Sequence, residues 1–93
     1  PAEALSRALA ALKSAKQTGD IDLVNRARHT TALVFWLQKD YSKAATNFLE
    51  LLRSERLTAV QELETLMRLG AVFLDAADFA PAKEHITTAL NIA

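Results

Sequence analysis

The chain has 93 residues, 51% of them hydrophobic and 24% charged, with two Gly, two Pro and no Cys, which suits one compact, mostly helical domain rather than a disordered tail. Eleven Lys plus Arg offset eleven Asp plus Glu, so no overall field draws the protein to nucleic acid or to an anionic membrane. Lack of Cys excludes a disulfide framework and a thiolate site. The longest apolar run, Ala32 to Leu37, falls far short of the roughly 20 residues of a membrane helix, so a soluble, cytoplasmic protein is expected.

Ala2 to about Thr18 consists largely of strong helix formers, with Leu5, Ala8, Leu9, Leu12 and Ala15 at the spacing of one apolar stripe. Gly19 supplies a left-handed stop to this first helix, and Asp20 caps the next. The second helix runs from about Ile21 to Gln38. Leu23, Val24, Ala27, Thr31, Val34, Phe35 and Leu37 make its surface apolar on nearly every side toward the end, so it is packed from several directions or binds something. Lys39-Asp40 ends it and caps a third helix, Tyr41 to about Arg53, whose inner stripe is Tyr41, Ala44, Ala45, Phe48, Leu51 and Leu52.

Ser54 to Leu57 is the most loop-like connection. Thr58 and Gln61 form a reciprocal capping pair that starts a fourth helix, extending to about Ala76. Its buried side is expected to be Val60, Leu63, Leu66, Met67, Gly70, Phe73 and Leu74. Asp78 then caps a fifth helix, where Pro81 is tolerated in the first turn and Phe79, Ala82, Ile86, Ala89, Leu90 and Ile92 continue the apolar pattern.

A gapless shift that lays Asp40 on Asp78 also lays Asp20 on Thr58, Val34 on Val72, Phe35 on Phe73, Tyr41 on Phe79, Ala44 on Ala82 and Leu52 on Leu90. A helical pair recurring within about 20 to 50 residues is the signature of an α-solenoid, in which each unit buries its face against the next. In Leu66, Leu69, Gly70, Phe73, Phe79, Ala82, Ile86, Ala89 and Leu90 the second unit resembles the tetratricopeptide repeat family. The first unit matches at Phe35, Tyr41, Ala44, Phe48 and Leu52, with Ala32 in place of the family's Gly, but Arg28 and Thr31 stand where large apolar residues are usual.

The period is longer than the family's usual unit of about 34 residues and no Pro closes either unit, which leaves open a relative such as the helical repeats of large complex-assembly subunits. The first helix fits the second helix of a preceding unit. The resemblance implies an all-α fold of five antiparallel helices, a short tetratricopeptide-like α-solenoid with about two helix-turn-helix repeats plus one N-terminal helix. It also implies that Gly70 and Ala82 mark the closest approach of paired helices. A single domain over residues 1–93 and a fragment of a longer array both remain open.

Chemistry is not expected. His29 and His85 lie on different helices, neither with an acidic or His residue at the spacing of a paired metal site, so both are read as surface or packing residues and no metal or cofactor is called for. Glu62 and Glu64 diverge on their helix, Asp20 and Asp22 suit a helix start, and neither a phosphate-cradling Gly loop nor a nucleophile setting for Ser6, Ser14, Ser42 or Ser54 is present. Helical repeats of this size also read RNA. Here Lys13, Lys16, Arg26, Arg28, Arg53 and Arg56 are scattered over several helices, with Trp36 the one aromatic free to stack, so RNA binding is a minor alternative.

The family geometry implies a concave surface built from first helices, placing Arg26, His29, Leu33, Trp36 and Leu37 beside Glu64, Met67, Ala71, Leu74 and Asp75. Trp36 and Met67 suit interface anchors, although a core position for Trp36 is equally open. The family's best-known groove clamps a C-terminal carboxylate with Lys, Asn and Arg; here His29, Leu33 and Glu64 stand among the corresponding positions with Arg68 the sole basic match, which disfavours that use. The leading expectation is a non-enzymatic protein-protein interaction module or scaffold segment holding an apolar or amphipathic peptide or helix around Trp36 and Met67. The alternative is a structural segment that self-associates into a homo-oligomer, or docks on neighbouring repeats, through Ile86, Leu90 and Ile92.

Overall fold

The computed structural model describes residues 2–78 and residues 80, 83, 84 and 87. Local chemistry sets where its helices start and stop: α1 spans Ala2–Thr18, α2 Ile21–Leu37, α3 Tyr41–Leu52 and α4 Ala59–Ala76. Gly19 takes the left-handed conformation at φ 74 that an L side chain resists. Asp20 then accepts hydrogen bonds from the free amides of Asp22 and Leu23 at 3.0 and 3.3 Å, satisfying donors that the helix itself leaves unpaired. Asp40 does the same for Lys43 at 3.3 Å. Thr58 accepts from the Gln61 amide at 3.1 Å while the Gln61 side chain accepts from the Thr58 amide at 3.0 Å, the reciprocal pair expected.

The all-α class holds, but the expected five helices are corrected to four among the described residues. Ala80, Lys83, Glu84 and Thr87 have helical backbone without adding up to a further element. Phe79, Pro81, Ala82, Ile86, Ala89, Leu90 and Ile92 lie outside the described residues. Helical spacing of apolar residues is necessary for an amphipathic helix and does not suffice for one.

Short links fold the chain back on itself, so α1 packs on α2, α2 on α3 and α3 on α4. The stripe of α3 is buried as its spacing predicts, at Tyr41, Ala44, Ala45, Phe48 and Leu51. Around it Ala32 and Phe35 of α2 and Leu69, Val72 and Ala76 of α4 complete one core cluster, while α1 contributes Ala8, Leu12 and Ala15. Buried Thr31 and Thr65 do not strand a polar group, because each hydroxyl donates to the carbonyl one turn earlier, Ala27 at 2.8 Å and Gln61 at 2.7 Å. No described helix is long and apolar enough to cross a membrane.

The expected buried side of α4 is the second correction. Val60, Leu63, Leu66, Met67 and Leu74 are exposed, Gly70 is open and Phe73 is partly buried, whereas Thr65, Leu69, Val72 and Ala76 face the core. Apolar residues surround most of α4, so their spacing does not choose a face. The choice falls to the neighbour, and α3 takes the face with the smaller side chains, where two helices approach closely.

The close approach expected at Gly70 is absent: a Cβ placed there meets nothing within 4 Å among the described residues. Gly70→Ala is therefore expected to stabilise the fold by ~1 kcal/mol, the difference in helix propensity. Thermal unfolding of the two proteins decides it, and a lowered midpoint would mean that another segment occupies that space.

Candidate protein-binding groove

Both α2 and α4 pack on α3, which leaves a seam between them on the side away from their shared neighbour. One side-chain hydrogen bond spans it. Near the C-terminal end of both helices the Trp36 indole Nε1 donates to Asp75 Oδ2 at 2.7 Å, a charge-assisted bond that fixes the ring. Beneath, Trp36 stands edge-on to Phe48, with centroids 6.5 Å apart and planes at 84°. The ring is half-buried, wedged between a core phenyl and a surface carboxylate, so it belongs neither wholly to the core nor wholly to the solvent.

About two turns toward the N-terminus of α2, His29 presents its ring to the same Phe48 at 5.8 Å and 61°. Burial lowers the His29 pKa from its usual value, the nearby Arg68 guanidinium lowers it further, and Glu64 opposes both. Arg68 donates to Glu64 Oε1 from Nη2 at 2.9 Å and from Nε at 3.3 Å. That hydrogen bond, with the guanidinium charge behind it, holds the exposed Glu64 carboxyl below its usual value.

The seam has two compartments. A shallow hollow of about 450 Å³ is lined by Trp36 and by Val60, Leu63, Met67 and Ala71 of α4, with Glu64 and Arg68 at its edge. A second, of about 530 Å³, lies toward the helix N-termini and is polar, with Asp22, Asn25, Arg26 and His29 from α2 and Gln61 and Glu64 from α4. Glu64 lines both, so the two hollows meet at that side chain. The α3–α4 link closes the polar end: Asn25 Nδ2 donates to Ser54 Oγ at 2.8 Å, and Arg56 pairs with Asp22 at 3.5 Å.

Of the expected groove residues, the structure brings Arg26, His29, Trp36, Glu64, Met67 and Ala71 to the seam, and Asp75 joins through Trp36. Leu33 instead packs partly buried against the core cluster. Leu37 and Leu74 are strongly exposed and line neither hollow. Ile86, Leu90 and Ile92 fall outside the described residues. Val60 and Leu63 are lining residues that their spacing alone assigns to the core; their place in one row with Met67 and Ala71 is the signal that points to the groove. Among the described residues no group of three or more His, Cys, Asp or Glu converges on a common point.

The lowered His29 pKa has a measurable sign. The unfolded chain takes up this proton at higher pH than the folded one, so stability is present above the usual value of 6.5 and falls as pH drops from there through the folded pKa. His29→Gln is expected to flatten that part of a stability-versus-pH curve taken by urea unfolding. An unchanged slope in the variant would assign it elsewhere.

No family model matches the chain, and neither a curated protein nor a solved structure matches it, so what the seam can do is read from its own residues.

Proposed function

We propose that the chain is a non-enzymatic protein-binding module of tetratricopeptide-like design, or a segment of a scaffold, which receives an apolar or amphipathic helix or peptide between α2 and α4. One observation carries the reading. Val60, Leu63 and Met67 form a row along α4, each between 60% and 74% exposed, beside a Trp already fixed in place. Contiguous exposed apolar surface rimmed by polar residues is the mark of an interaction site. A pre-positioned aromatic loses little freedom on binding, which is what suits it to anchor a partner.

The charged groups of the seam support binding over chemistry. Glu64 is engaged by Arg68 and Asp22 by Arg56, so these carboxylates are committed to neighbours. The α2–α3 pair and the matching N-caps of α2 and α4, Asp20 and Thr58, support the repeat-like design.

Crosslinking and pull-down from the native source with the intact gene product names the partner. A variant carrying Trp36→Ala and Met67→Ala is then expected to keep its helical circular dichroism and to lose at least tenfold in partner affinity, since anchor residues contribute about 2 kcal/mol each. Undiminished capture by the folded variant rules the groove out.

A further inference from the structure

The apolar row explains why something binds but not which chemistry the partner carries; the polar compartment supplies that. Its carboxylates are already matched, Asp22 with Arg56 at 3.5 Å and Glu64 with Arg68 at 2.9 Å. Arg26 borders the same cleft, and among the described residues its guanidinium has no ion pair. The half-buried His29 is neutral near pH 7, its pKa lying below the usual 6.5, and does not alter the balance. One end of the groove is thus apolar and the other holds a single unmatched positive charge.

The shape of the apolar part selects a helix. Val60, Leu63, Met67 and Ala71 follow the three-and-four spacing of one helical face, a ridge about 16 Å long at 1.5 Å per residue. With α3 against one side of the α2–α4 pair, a helix along the opposite seam gains two packing neighbours, and ridges of this spacing interdigitate with those of another helix. Along α2, Arg26 precedes Trp36 by about 15 Å.

We propose that the occupant of this groove is an amphipathic helix with an acidic residue about ten positions from the apolar side chain that covers Trp36, the acid seated against Arg26. The proposal rests on the reading of the seam as a protein-binding groove. It fixes two things that reading leaves free, the partner's charge and its direction, because only one orientation brings the acid to Arg26.

The test uses the chain's single Trp as a reporter. Displayed peptides of about 18 residues, free of Trp, with a Leu stripe at helical spacing and randomised flanking positions, are selected against the full chain. Binding is then followed by the shift in Trp36 emission. Selected sequences are expected to concentrate Asp or Glu at one end. Arg26→Glu is expected to weaken those peptides about two- to fivefold at low salt, the range for an exposed pair, with the difference vanishing near ~1 M salt, where the screening length is about 3 Å. Selection on the variant is expected to enrich Lys or Arg at the same end.

Peptides that shift Trp36 emission and fail with Met67→Lys, yet show no acidic bias or ignore Arg26→Glu, overturn this proposal while leaving the groove in place. Absence of any peptide that shifts the emission, or binders indifferent to Met67→Lys, removes the groove reading as well. So does selective, salt-sensitive binding of single-stranded RNA. Arg26 and Met67 are both exposed, and circular dichroism checks that each variant folds.

Discussion

Phe48→Ala is expected to cost about 3–5 kcal/mol, the range for emptying a buried aromatic site. Phe48 is fully buried at the middle of α3, and its ring is the surface on which both His29 and Trp36 rest edge-on. Removing it deletes the transfer free energy of the ring and leaves a void that helices anchored by caps at both ends cannot collapse to fill. A chain of this size has about 5–15 kcal/mol in total, so the loss is a large share of the whole. In urea, with a slope near ~1–2 kcal/mol per molar, the midpoint should fall by about 2 M or more, and Trp36 emission should shift because its ring loses its support. A midpoint within about 0.5 M of the parent, far less than the slope allows for such a loss, would show that Phe48 is not the centre of the core.

The second large effect runs against the family resemblance. Position 31 is one where large apolar residues are usual in that family, so Thr31→Leu would be expected to improve the match and the fold. The structure argues the opposite. Thr31 is fully buried, its hydroxyl donates to Ala27 O at 2.8 Å, and the same Thr31 Oγ1 lies 3.4 Å from the carbonyl oxygen of Ala8 on α1. No room remains between the two backbones for a longer side chain. Overpacking of this kind costs about 1–3 kcal/mol, a fall in melting temperature of roughly 10 °C at this length. Thr31→Val, close in shape, should cost less, because both carbonyls are also served within their helices. An equal or raised melting temperature for the Leu variant would reinstate the family pattern at this position.

Features set by neighbours along the chain are legible in the residues themselves. The stops and caps at Gly19, Asp20, Asp40 and the Thr58–Gln61 pair stand where their local hydrogen bonding requires. So does the α3 stripe, because Ser42, Lys43, Asn47 and Glu50 make its other side plainly polar. In α4 the same reasoning fails. With apolar residues around most of its circumference, only the position of α3 decides between Leu69 and Met67, and that contact is made across the chain. The Trp36–Asp75 bond is hidden for the same reason: the family resemblance implies that both residues lie on the concave surface, but their pairing depends on the offset between α2 and α4. At Lys39, a left-handed residue at φ 64 occupies a position whose side chain gives no sign of it.

Packing in which α1 meets α2, α2 meets α3 and α3 meets α4 has a kinetic meaning. Among the described residues the helices that pack together are consecutive along the chain, so little loop-closure entropy must be lost before burial begins, and a microsecond-to-millisecond folding time follows. Opening should be graded as well. α1 has a partner on one side alone among the described residues and can detach with most of the core intact, whereas α2 and α3 open only with everything else. Amide exchange would read that order directly, slowest around Phe35 and Phe48 and fastest in α1, and the groove between α2 and α4 would keep its α2 wall, with Trp36, through most such openings.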